Sequence, residues 1–172
     1  MSTKMADPDS LEIQVVRNLN PYKRIGGFPQ VEHLFRVAAS LDIDKSDVKR
    51  YYDFIDHKVS DLLLMGQAAA SANGRDIVEE WDLPITKGLQ ESIHAFEKLD
   101  VDIGLEPILD RKTPRPGDLD RPFSVETDAR LPAIAGGLSV ALARAFKIMD
   151  PELKHPVTEH WERAFQIFGQ LL

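Results

Sequence analysis

The feature that most constrains the fold is a run of apolar residues with helical spacing between residues 44 and 73. Steps of three and four residues place apolar side chains on one face of an α-helix. Asp44 can cap the start of this helix, and Gly74 after Asn73 can end it in the left-handed conformation. The apolar and small residues of the face are Val48, Tyr51, Tyr52, Ile55, Val59, Leu62, Leu63, Gly66, Ala69 and Ala70. Such a helix spans roughly 43 Å, so its apolar face must be covered from more than one side.

The segment after this helix contains an arginine and an aspartate, Arg75 and Asp82, on either side of a short β-prone stretch. Asp82 can cap a further helix whose first turn tolerates Pro84. A long helix, Gly-Arg, a short extended loop and an Asp-capped helix together resemble the histone fold. That resemblance implies a structural clamp in which Arg75 pairs with Asp82. The alternative is an ordinary helix–loop–helix in which the two residues occur by chance.

A longer stretch carries a more specific resemblance. Residues 73–99, NGRDIVEEWDLPITKGLQESIHAFEKL, and the sequence IAGGL at 134–138 resemble an uncharacterised bacterial family of histone-fold doublets. The resemblance implies an all-α chain in which two histone-like halves pair with each other as a pseudodimer. The halves are residues 28–99 and residues 100–172, which form one compact unit after an N-terminal arm at 1–27. The family has no settled activity, so the resemblance predicts the fold more than the function.

The second half repeats the plan of the first only loosely. A second long helix is predicted from about Asp128 to Met149, and Thr158 can cap a last helix. Gly136 and Gly137 are unfavourable in mid-helix by about 1 kcal/mol each relative to Ala. We therefore expect them to allow close contact with the small residues of the first long helix. The clamp is not repeated, because Lys154 stands near the expected arginine, and the second half is predicted to be a degenerate copy.

Charge argues against strong binding of nucleic acid. The chain has 21 Lys and Arg residues against 28 Asp and Glu residues, a net charge of −7. Duplex DNA binding draws much of its strength from Lys and Arg at phosphates. The two predicted halves are both acidic, with net charges of −5 for residues 28–99 and −3 for residues 100–172. DNA is therefore disfavoured as a partner, although a local basic patch remains open.

Composition also bears on chemistry and location. The absence of cysteine excludes disulfides, thiol catalysis and cysteine-bound metals. The five histidines do not form the HExxH spacing, and the nucleotide-binding and serine-nucleophile motifs are missing. We predict no enzymatic activity, no cofactor and no metal.

The sequence lacks a run of 18 apolar residues and an apolar N-terminal segment, so we expect no membrane contact and a cytoplasmic location, with the nucleoid as the alternative.

Aromatic residues leave two interpretations open. Trp81, Tyr51 and Tyr52 could stack on bases, or they could pack in the core or at an interface. The helical spacing of the tyrosines favours packing.

DNA binding is the main alternative function. In DNA-wrapping histones the clamp arginine is commonly followed by Lys and Thr at the phosphates, whereas this chain has Asp76 and Ile77. A carboxylate repels the DNA backbone, so contact must come from elsewhere. The candidate DNA-contacting residues are Lys45, Lys49, Arg50, Arg111, Lys112 and Arg115.

We predict a non-enzymatic, histone-like architectural or protein-interaction protein that binds a protein partner or itself. The alternative is a DNA-binding nucleoid-associated protein that uses a local basic patch.

Overall fold

The computed structural model describes residues 27–112 and 120–172, so residues 1–26 of the predicted arm at 1–27 and residues 113–119 lie outside the described ranges. The described chain is built from helices, which confirms the predicted all-α class. A 3-10 turn, Glu80–Asp82, separates the second helix from the third. The α-helices are α1 (Phe28–Ala39), α2 (Lys45–Ala72), α3 (Lys87–Ile103), α4 (Glu106–Lys112), α5 (Val125–Met149) and α6 (Thr158–Leu171).

Helix α2 begins and ends where the sequence predicts. The Asp44 carboxylate accepts hydrogen bonds from the backbone N–H groups of Ser46 and Asp47. Asp47 in turn accepts from the N–H of Asp44, so the two carboxylates satisfy three N–H groups at the start of the helix. At the other end Gly74 has a φ of +69°, the left-handed conformation that glycine adopts without strain.

Helix α3 begins later than predicted and has a different cap. The Oγ1 atom of Thr86 accepts a hydrogen bond from the N–H of Leu89, and Asp82 ends the 3-10 turn instead of opening α3. Pro84 is the reason, since it disfavours a helical backbone in the preceding residue. Leu83 is accordingly extended, with a ψ of 131°. The prediction that Asp82 caps the third helix is therefore wrong.

Helix α5 is the central element of the core. It starts at Val125, where Ser124 caps it, so Pro132 lies inside the helix and not at its start as predicted. This helix is long and apolar enough to cross a membrane by length and composition, but 67% of the apolar window is buried inside the fold. Such burial is typical of a core helix. The expectation of no membrane contact remains a prediction.

Aromatic side chains from both predicted halves meet in one hydrophobic core. Phe35 of α1 packs edge-on against Tyr51 of α2, with ring centroids 5.8 Å apart. It also contacts Phe146 of α5 and Trp161 of α6, whose rings lie 4.9 Å apart in a T-shaped pair. All four side chains are fully buried. Residues on both sides of position 100 thus share one buried cluster.

The glycine pair of α5 allows close packing, but against a different helix from the one predicted. A Cβ atom on Gly137 would lie 2.9 Å from the backbone N of Ile93, and one on Gly136 would overlap the ring of Phe96. Both partners belong to α3. Gly66 of α2 instead faces Leu83 and Val78. The two long helices do meet in the core, through Tyr51 and Ser139.

Candidate functional site

Two pairs of loops lie on the surface of the molecule. The first loop pair consists of residues 75–82, which include the 3-10 turn, and residues 120–125, the last of which begins α5. The N–H of Val78 donates to the carbonyl of Pro122, and the N–H of Ser124 donates to the carbonyl of Val78, both at 2.9 Å. These bonds form a parallel β-bridge between Val78 and Phe123. The hydroxyl of Thr127 adds a third bond to the Val78 carbonyl at 3.1 Å, so the bridge is tied to α5.

The second loop pair consists of residues 41–46 and 150–158, which include the first residues of α2 and α6. The N–H of Asp42 donates to the carbonyl of Lys154 at 2.8 Å. The guanidinium of Arg50 in α2 donates to the hydroxyl of Thr158 in α6, also at 2.8 Å. In each loop pair, a loop of residues 28–99 is joined to a loop of residues 100–172.

Arg75 and Asp82 lie together at the first loop pair. The Nη1 atom of Arg75 donates to Oδ2 of Asp82 at 2.6 Å, and Nη2 donates to the other carboxylate oxygen. The carboxylate also accepts from the N–H of Glu79 at 2.8 Å. The side chain of Asp82 is 3% exposed. The hydrogen bonds from Arg75 hold the pKa of Asp82 below its usual range, against the opposing effect of burial.

Two further arginines of this region are also engaged within the chain. Arg121 donates to the carboxylate of Asp76 at 2.6 Å and to the carbonyl of Arg75 at 2.9 Å. Arg130 of α5 pairs with Glu80 at 3.4 Å. The three arginines therefore connect the two loops to each other and to the helices beneath them. A phosphate group at this surface would have to compete with carboxylates already in place.

The predicted DNA-contacting residues are only partly described by the structure. Lys45 is exposed, Lys49 pairs with Asp53 at 3.1 Å, and Arg50 contacts Asp47 and Thr158. Lys45 and Arg50 lie at the second loop pair, to which the backbone bond of Asp42 also brings Lys154. The side chains of Arg111, Lys112 and Arg115 fall outside the described residues.

Carboxylates outnumber the cations at both loop pairs. Residues 41–54 and 150–160, around the second loop pair, contain four Lys and Arg residues and seven Asp and Glu residues. Residues 75–82 and 120–130, around the first, contain three and seven respectively. Neither region has the excess of positive charge that contact with the DNA backbone favours.

Exposed apolar side chains at the first loop pair were not predicted. Trp81 is 71% exposed and Val125 is 81% exposed, and Ile77 beside the β-bridge is exposed as well. Tyr51 and Tyr52 are buried, which agrees with packing in the core, whereas Trp81 is exposed and its packing at an interface stays a prediction. Helical spacing could not reveal this, because Trp81 belongs to a 3-10 turn of only three residues.

A cleft of about 480 Å³ lies between α3, α4 and α5 and contains the carboxylates of Asp100, Glu106 and Asp110. Asp100 accepts hydrogen bonds from the N–H groups of Leu105 and Glu106, which gives it a structural role at the start of α4. Burial, and then the charge of Asp100, raises the pKa of Glu106. Among the described residues, no three His, Asp or Glu side chains are placed to hold a metal ion. No pattern along the chain indicated this cleft, since its carboxylates come from separate helices.

Comparison with known proteins places the chain among bacterial proteins without an assigned activity. The model of a family described as a domain of unknown function, DUF1931, matches residues 31–169. A crystal structure from Thermus thermophilus is 46% identical, with a TM-score of 0.75 over 83% of this chain and 96% of that one. A crystal structure from Aquifex aeolicus is 26% identical, with a TM-score of 0.71 over 87% and 97%.

A curated uncharacterised protein of Aquifex aeolicus is 30% identical over 84 residues, which is about half the length of each chain. These matches confirm the predicted relation to an uncharacterised bacterial family.

Proposed function

Because the chain belongs to the DUF1931 family, a domain of unknown function, we propose a role for it from its own geometry. We propose that it is a histone-fold pseudodimer and that it acts as a non-enzymatic architectural or protein-interaction protein in the cytoplasm. Its two halves take the place of two histone subunits. Its surface then serves to hold another protein.

The observation that carries the fold proposal is the pairing of loops from the two halves at two places. At one, Val78 and Phe123 form a parallel bridge, and at the other Asp42 bonds to Lys154. Between them the long helices α2 and α5 meet in the core. Two helix–loop–helix units that pair head to tail produce this arrangement. The loop after the long helix of one unit then meets the loop before the long helix of the other unit, and this happens at both ends.

Charge supports a protein partner over DNA. Both loop pairs are acidic, and the arginines of the first are held by Asp82, Asp76 and Glu80. Exposed apolar side chains support the same choice, because large exposed aromatic residues are enriched where proteins meet. Trp81 supplies such a group on the surface of the molecule.

The test combines a DNA assay with partner detection. Fluorescence anisotropy with a labelled duplex, at low and at physiological salt, is expected to show no binding at physiological salt. Crosslinking in cells is expected to capture a protein partner or a second copy. Binding that survives physiological salt and weakens in Lys45→Ala and Arg50→Ala would favour the nucleoid-associated alternative. Strictly monomeric behaviour with no crosslinked protein would contradict the interaction role.

A further inference from the structure

The first loop pair has the features of a docking surface, and we propose that it binds a basic segment of a partner protein. The bound segment is inferred to place an apolar side chain against Trp81 and its Lys or Arg side chains against the neighbouring carboxylates. This inference rests on the proposed interaction role and specifies where that role is carried out.

The apolar part of the surface consists of Trp81, Ile77 and Val125. The backbone bonds of Val78 to Pro122 and Ser124 join the loops that carry Ile77 and Val125. The pair of Glu80 with Arg130 brings the turn that carries Trp81 against α5. The exposed fractions of 71% for Trp81 and 81% for Val125 leave most of both side chains open to a partner. Covering an exposed indole contributes much of the binding energy at many protein interfaces.

The backbone beneath Trp81 is already fixed before a partner arrives. Its neighbour Asp82 is held by two bonds from Arg75 and one from the N–H of Glu79. The carbonyl of its other neighbour, Glu80, accepts a hydrogen bond from the N–H of Leu83 at 3.3 Å. A side chain presented from a fixed backbone loses less conformational entropy on binding than one on a mobile loop.

The charge around this apolar group selects a basic partner. The guanidinium groups of Arg75, Arg121 and Arg130 are each engaged by a carboxylate of this region. The same region also contains the carboxylates of Glu79, Asp120 and Glu126. Its total negative charge is therefore larger than the positive charge of the three arginines. Glu126 precedes Arg130 by one helical turn, so it lies on the face of α5 that meets the Trp81 turn. Lys and Arg side chains can pair with these carboxylates and lie over the indole ring.

A second copy of the chain fits this surface less well. The chain has a net charge of −7, and an acidic surface meeting another acidic chain is opposed by repulsion. A basic segment is attracted instead, and the attraction weakens as salt screens it.

The test measures anisotropy of a fluorescently labelled synthetic peptide of repeated Arg-Leu-Lys triplets, titrated with the full chain. A peptide with Glu at every Arg and Lys position is the control for charge. We expect saturable binding of the basic peptide only, and weakening by about tenfold in Trp81→Ala, as for an aromatic hot spot. Glu126→Gln should weaken binding at low salt and have less effect at high salt. The matched controls are Ile148→Ala, an exposed apolar residue near the other end of α5, and Glu162→Gln, an exposed carboxylate of α6.

Equal binding of the peptide by Trp81→Ala and the unchanged protein would overturn the proposal, as would equal weakening by Ile148→Ala. If Trp81→Ala abolished self-association in sedimentation while the peptide never bound, a second copy would be the occupant and the proposal would be wrong. If Trp81→Ala still crosslinks to a partner in cells, the assignment of binding to this surface would be wrong, while the proposed interaction role would still hold. Circular dichroism melting of each variant controls for folding.

Discussion

The hydroxyl groups of Tyr51 and Ser139 lie 2.7 Å apart in the core, where they join the two long helices. Ser139 donates its own proton to the carbonyl of Ala135 at 2.7 Å, so Tyr51 is the donor between the two hydroxyls. Both residues are completely buried. The contact between the predicted halves therefore includes a polar bond in an apolar setting.

Removing the two partners of this bond is expected to have unequal effects. Ser139→Ala leaves the Tyr51 hydroxyl buried without an acceptor and should destabilise the fold by about 1–3 kcal/mol. Tyr51→Phe leaves Ser139 bonded to Ala135 and should cost about 0.5–1.5 kcal/mol. Urea denaturation of both single variants and the double variant measures the coupling. Additive effects of the two substitutions would contradict the hydrogen bond.

The Arg75–Asp82 pair gives a prediction with a defined pH dependence. Arg75→Ala should lower the melting temperature by several degrees near neutral pH, because the buried Asp82 carboxylate loses two hydrogen bonds. The pKa of Asp82 is lowered in the folded state, so its stabilisation is complete above the unfolded pKa of about 3.9. It is lost as the pH falls through the lower folded pKa. The difference between variant and parent should therefore shrink in acid.

The matched control for that prediction is Arg36→Ala. Arg36 also bonds two carboxylates, those of Glu32 and Asp42, but its side chain is 56% exposed. Exposed ion pairs contribute little to stability. The melting temperature should therefore change little for Arg36→Ala. An equal decrease in melting temperature for Arg36→Ala and Arg75→Ala would show that the burial of Asp82 is not the source of the stabilisation.

The sequence predicts the fold best where the interacting residues are close together along the chain. Asp44 and Gly74 mark the two ends of α2 as expected, since capping depends on residues within one turn of the helix end. The sequence alone does not distinguish Asp82 from Thr86 as the cap of α3, because Asp and Thr both cap helices well. The choice of Thr86 depends on the extended backbone that Pro84 imposes on Leu83.

Signals that depend on distant partners were predicted less well. The small residues Gly136 and Gly137 indicated a close helix contact, but the sequence did not specify α3 as the partner. The exposure of Trp81 and the cleft at Asp100 arise from several elements that only the folded chain brings together. The structure also joins the loop of Lys154 to the loop that precedes α2, a relationship that spacing along the chain cannot reveal.

Gly137 of α5 is expected to tolerate no added side chain, because backbone atoms lie among its nearest neighbours. In Gly137→Ala the new methyl group would lie 2.5 Å from Cγ1 of Ile93 and within 3.0 Å of its backbone. Because a backbone cannot move aside as a side-chain end can, we expect destabilisation by about 1–3 kcal/mol or more in chemical denaturation. The matched control is Gly169→Ala in α6, where a Cβ atom meets nothing within 4 Å. It should be neutral or stabilising by up to about 1 kcal/mol. Equal stability of the two variants would refute the close contact.

Asp47 is expected to show the opposite pH dependence from Asp82. It is 4% exposed, and burial is the main cause that raises its pKa, while hydrogen bonding to Asp44 and the charge of Arg50 oppose the shift. The charge of Asp44 raises the pKa further, and the indole N–H of Trp161 approaches the carboxylate without reaching hydrogen-bond geometry. A group with a raised folded pKa binds its proton more tightly in the folded state, so its ionisation reduces stability as the pH rises from the unfolded pKa through the folded one.

Asp47→Asn keeps an oxygen that can accept from the N–H of Asp44 and carries no charge. Relative to the parent, this variant should therefore be more stable near neutral pH than in acid, whereas Asp82→Asn should be less stable near neutral pH than in acid. Thermal melts of both variants across this pH range measure the two slopes, and slopes of the same sign would show that burial does not dominate at Asp47.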